Sequence, residues 1–95
     1  MKLFNINDAR KFFERVLNCE GAVYCRDRDG KTYDMKRMAE YSIRSGMAAG
    51  MKGIDEIDLT FEKPSDVMAM LSYAKQMVME ENRLRSGRFA HRRSA

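Results

Sequence analysis

Apolar and polar residues change period several times along the chain, and each change marks an element. From Ala9 to Asn18, the apolar positions Ala9, Phe12, Phe13, Val16 and Leu17 recur at intervals of three and four, which lines one side of an α-helix. Arg10, Lys11, Glu14 and Arg15 take the other side. Asn7 or Asp8 offers a side-chain oxygen to the free amides at its start. Ahead of it, Lys2 to Ile6 predicts a short edge strand, with Leu3 on one side and Phe4 and Ile6 on the other. Ala22 to Asp34, AVYCRDRDGKTYD, then runs at period two on either side of Asp29-Gly30, which predicts a β-hairpin with a tight connection.

Asp34 is placed to cap a second helix, whose apolar positions are Met35, Met38, Ala39, Ile43 and Met47. The Gly50-Met51-Lys52-Gly53 run ends it. Ile57, Leu59 and Phe61 alternate with Asp58, Thr60 and Glu62, the pattern of a strand with one face on a core and one in water. Lys63-Pro64 stops that strand, Ser65 can cap, and Asp66 favours the positive end of a third helix. Its predicted inner stripe is Val67, Met70, Leu71, Ala74 and Val78, flanked by Met68, Met77 and Met79, with an end at Arg85-Ser86-Gly87. The order is βαββαβα. It predicts an α+β open-faced sandwich: an antiparallel sheet of three or four strands with three helices on one face.

Composition narrows this picture. A chain of 95 residues makes one domain and buries about 60 to 65% of its unfolded surface. A hydrophobic fraction of 44% with nine Met and five Phe supplies a core. Cys19 and Cys25 match no metal-ligand spacing and read as reduced core thiols. No run is long enough to cross a bilayer, and the first residues lack a secretory pattern, so a cytosolic protein is expected. The formal charge of +4 is uneven: residues 83–95 hold Arg83, Arg85, Arg88, Arg92 and Arg93 with no acid. Residues 1–82 carry thirteen basic and fourteen acidic side chains. The expectation is therefore a domain over 1–82 and a basic flexible tail over 83–95.

Catalytic chemistry finds little support in these residues. There is no Cys and His pair in a working arrangement and no Gly-rich phosphate loop, and neither cofactor nor metal is expected. Asp55, Glu56 and Asp58 resemble a carboxylate cluster, yet Glu56 and Asp58 alternate with Ile57 and Leu59 as a solvated strand face would. Arg26, Asp27, Arg28 and Asp29 alternate in sign and read as a water-facing hairpin end.

The joint order of turn, helix, alternating strand and Pro resembles the histidine-containing phosphocarrier protein, HPr, of the bacterial sugar phosphotransferase system. The similarity starts at Lys11-Phe12 and passes through Asp29-Gly30-Lys31-Thr32, which looks like the family's Asn-Gly-Lys-Thr turn. It continues through Lys36, in the place of the Lys before the family's regulatory Ser, and through Glu56-Ile57 to Pro64. The departures fall on the family's chemistry. Asn5-Ile6-Asn7-Asp8 stands where the family has its acceptor His, Arg37 stands at the regulatory Ser, and His91 lies in the tail. The resemblance thus implies the scaffold without phosphoryl transfer. A fainter similarity is to short clostridial proteins with the same Phe-Phe helix and acidic strand, some bearing a poly(A) polymerase label; that activity needs a phosphate-cradling loop and clustered metal-binding carboxylates, and this chain supplies neither.

Two binding functions remain. In the HPr family, partners dock where the start of the first helix meets the second, which implies Met47 and Met51 as candidate contacts for a protein partner or a second copy. Methionine also fills cores, so the same residues fit plain packing. The alternative is a nucleic-acid-binding accessory protein, in which the five tail arginines meet phosphates and Phe89 and His91 stack on an unpaired base. A short basic tail can equally be no more than solubilising.

Overall fold

Eight elements follow in order: β1 (Lys2–Ile6), α1 (Ala9–Leu17), β2 (Val23–Arg26), β3 (Thr32–Asp34), α2 (Met35–Arg44), α3 (Met47–Gly50), β4 (Ile54–Phe61) and α4 (Pro64–Ser94). This computed structural model describes residues 1–94, with side chains described as far as Arg83. The strands form one antiparallel sheet in the order β1-β4-β2-β3. β4, the longest strand, lies between β1 and β2, with Leu3 opposite Ile57 and Cys25 opposite Leu59. The chain is thus α+β, as its pattern predicts.

Local chemistry explains most boundaries. The Asp8 carboxylate accepts the Lys11 amide at 3.0 Å and opens α1, and Asp34 does the same for α2 through Arg37 at 3.3 Å. Pro64 opens α4, where its missing N–H costs nothing. One face of the sheet supplies Leu3, Ile6, Val23 and Leu59 to a core with Phe12, Val16, Met35, Ala39, Met70 and Tyr73 from the helices. Phe12, Ile6, Met35 and Leu59 are fully enclosed, each contributing about 1.5–3 kcal/mol of burial. The other face presents Phe4, Tyr24, Glu56 and Thr60 to solvent.

Several expectations need correction. Leu3 and Ile6 are both buried while Phe4 is 58% exposed. Asn5 is the reason: its φ of 54° breaks the alternation and turns Ile6 to the core side. The hairpin connection, by contrast, is tight as expected: the Asp27 amide donates to the Lys31 carbonyl at 2.9 Å and the Gly30 amide to the Asp27 carbonyl at 3.1 Å, with Gly30 at φ 86°. Asp27 organises it, its carboxylate accepting the amides of Asp29 and Lys31 and the Tyr33 hydroxyl. α2 stops at Arg44, well short of Met47, because Gly46 takes φ 81° and restarts the chain as the separate turn α3. Leu17 and Met38, expected inside, are exposed.

The inner stripe of α4 is also shifted. Asp66, Met70 and Tyr73 are buried and Val67, Ala74 and Met77 half-buried, whereas Leu71 and Val78 face solvent. The helix runs through Arg85-Ser86-Gly87 to Ser94 instead of ending there. A lone Gly costs a helix only about 1 kcal/mol relative to Ala, and the Arg, Leu and Ala around it favour helix.

Candidate functional site

The α2–α3 segment carries the residues expected to meet a partner. Capping by Asp34 fixes the start of α2, and the turn at Gly46 swings α3 across, where it packs on α1 and buries Ala48. Met47, at the first position of α3, is 51% exposed. Met51 behaves differently: it is half-buried and packs against the core. Two further side chains, Met38 at 39% and Tyr41 at 64% exposure, stand one turn apart on α2. Tyr41 was not singled out by periodicity, because a Tyr off the apolar stripe gives no signal of its own.

At the start of α1, the Asp8 side chain is engaged by the Lys11 amide. Lys36 donates from Nζ to the Cys19 carbonyl just past α1. A cation there complements the negative end of the helix. Beside it, Asp66 accepts the amides of Glu20 at 2.9 Å and Gly21 at 2.8 Å. Those two bonds, Gly21 first, hold its carboxyl below the ordinary carboxylate value against the opposing effect of burial. Cys19, Lys36 and Asp66 thus form one junction tying α1, α2, β2 and α4 together. Its bonds join segments of the scaffold to one another.

Neither thiol is activated: at Cys19 the nearby Lys36 is outweighed by burial and Asp66. Cys19 is buried, its Sγ 3.5 Å from the Arg15 carbonyl, and Cys25 is half-buried. Burial foremost, with nearby aspartates, pushes both thiols up, which keeps them protonated and poor nucleophiles. Asp55, Glu56 and Asp58 share a shallow recess of about 700 Å³ with Lys2, Arg26 and Arg28. Lys2 lies 3.7 Å from Glu56 and the Met1 amine 3.5 Å from Asp58. The carboxylates are therefore interleaved with cations on a wet surface, where such pairs contribute little to stability. Among the described residues no group of three His, Cys, Asp or Glu side chains is arranged to hold a metal ion.

Of the tail arginines, Arg83 is exposed on α4. The side chains of Arg85, Arg88, Phe89, His91, Arg92 and Arg93 lie outside the described residues. No described helix is long and apolar enough to cross a membrane. No family model, curated protein or solved structure matches the chain.

Proposed function

We propose that this chain is a small cytosolic HPr-like domain that carries no phosphoryl group and acts by binding another protein through its α2–α3 side. The observation behind this reading is the exposure of Met38, Tyr41 and Met47 on elements that bury Met35, Ala39 and Ala48. Methionines and a tyrosine suit an adaptable contact surface, being flexible or amphipathic at low polar cost. The element order, with α3 as an added turn, supports the family likeness. The stretch Asn5-Ile6-Asn7-Asp8, which stands where that family has its acceptor His, has no imidazole and cannot form the phosphoimidazole on which that family's transfer depends.

Affinity capture from the native host tests it. The wild-type chain is expected to retain a defined protein that the double variant Tyr41→Lys, Met47→Lys loses, while circular dichroism and the melting curve stay unchanged. Equal retention by both, or nothing retained above background, counts against this surface. Met51 is left native because its contact with the core would mix folding with binding. A second reading, nucleic-acid binding through the arginines of 83–95, draws on one feature: all of the excess positive charge lies there, on a helix whose last core contact among the described residues is Met77.

A further inference from the structure

Apolar residues occupy two opposite sides of α4. Met70, Tyr73 and Met77 are turned to the core. With 3.6 residues per turn, Met68, Leu71, Val78 and Met79 fall on the far side, and all of them are exposed, Met68 at 67% and Met79 at 60%. Met68, Leu71, Lys75, Val78 and Asn82 recur at intervals of three, four, three and four, every one of them exposed. That is the narrow seam of a coiled coil, which takes a second helix as its complement. Lys75 and Asn82 share one of its two repeating positions with Met68, and polar residues at such a position fix the register of the pair. The helix that bears the seam spans 31 residues.

We propose that this seam pairs with the same seam of a second copy, the two helices running antiparallel. Set against its own reverse, the seam has a register that fills each layer: Met68 meets Val78 of the second copy, Leu71 meets Lys75, and the two-fold axis repeats both contacts. Ser72 and Ala74 flank that axis and are small enough for the helices to approach closely. Lys75 lays its methylenes on Leu71 and keeps its ammonium in water. Charge decides the orientation. A parallel pair sets Lys75 against Lys75 and the arginines of 83–94 beside their own copies. The antiparallel pair carries that basic segment toward the start of the other α4, where Glu20 and Glu62 are exposed beside Lys63. A lipid surface asks for a helix with one broad apolar side, whereas this helix divides its apolar residues between core and seam.

Sedimentation equilibrium of the full-length protein from about 1 μM to about 1 mM tests this, because a seam of so few layers associates only weakly. The mass is expected to rise toward that of a dimer. Leu71→Lys, Val78→Lys should stay monomeric throughout and melt like the wild type at the lowest concentration, since both positions face solvent and Lys favours helix. The pair Tyr41→Lys, Met47→Lys should leave the dimer intact. For orientation, Met68→Cys and Val78→Cys chains are mixed and oxidised, and the mixed disulfide should exceed either homodimer. A monomer at every concentration, a dimer that survives Leu71→Lys, Val78→Lys, or cross-linking confined to like pairs would overturn the proposal. So would a chain that stays monomeric and binds anionic vesicles through these residues.

Discussion

At Asp66 a carboxylate takes the part of a neighbouring strand, accepting the amides of Glu20 and Gly21 from a residue 45 and 46 positions away. Its depressed pKa fixes the sign of a pH effect. The native state binds this proton less readily than the unfolded chain, so the contribution is complete above the unfolded value, about 4. It is lost as the pH falls below that and through the lower native value. Thermal melts of the wild type should therefore drop in midpoint as the pH falls below about 4, and Asp66→Asn should start lower at neutral pH and show a flatter acid limb. An unchanged slope in the variant would assign the acid sensitivity elsewhere. Sequence alone gave Asp66 a different part, as a charge at a helix start. Both descriptions hold, but only the second is local. Asp27 is similar: its sign alternation with Arg26, Arg28 and Asp29 is visible in the chain, whereas its grip on two amides and Tyr33 appears only once the loop is closed.

Elements were legible where their determinants lie within a few residues. Asp8 and Asp34 cap helices, Gly46 interrupts one, and the alternation of β4 holds through Leu59 and Phe61. What failed depended on geometry beyond that range. The positive φ of Asn5 has no apolar signature, and the stripe of α4 rotates because Tyr73, amphipathic and uncounted, occupies the central inner position. Two glycines separate backbone cost from steric cost. Gly46 has φ 81° with open space where a Cβ would stand, so Gly46→Ala should cost only the left-handed penalty, about 1–2 kcal/mol. At Gly53 a Cβ would come within 2.5 Å of the Ile6 carbonyl oxygen, a backbone atom that cannot swing aside. Gly53→Ala should therefore lose clearly more in a denaturant titration than Gly46→Ala. The reverse ranking would mean that the end of β1 yields more easily than its pairing with Ile54 implies.

For the whole molecule, the core and the charge occupy different parts of the chain. Tyr73 is the last buried core residue described and Met77 the last that packs against it, while the surplus of Arg begins at Arg83. A chain ending at Asn82 should keep the native melting midpoint within about 3 °C and change its formal charge from +4 to −1. If the tail binds single-stranded nucleic acid, retention should vanish in that chain. For the full chain, log K should fall with log salt at a slope no steeper than about −3.5, the limit for five phosphate contacts. Retention that survives truncation would place any such binding on the domain instead. The candidate surface was half legible at this scale: Met47 stands out in the sequence and in the fold, but whether Met51 accompanied it depended on how α3 turns back onto α1.

The position of β4 has a further consequence, in time instead of space. β1 and β2 share no hydrogen-bonded edge; each pairs with β4, and the register of the sheet passes through its eight residues. During synthesis from the N-terminus, more than half of the chain, including α1, α2 and the β2–β3 hairpin, emerges before the strand that unites them. Until Phe61 has emerged, β1 has no partner and the inner edge of β2 is open, both ready to pair with whatever strand is near. Folding is thus gated by a late, non-local event, of the kind that slows small domains and leaves nascent chains exposed.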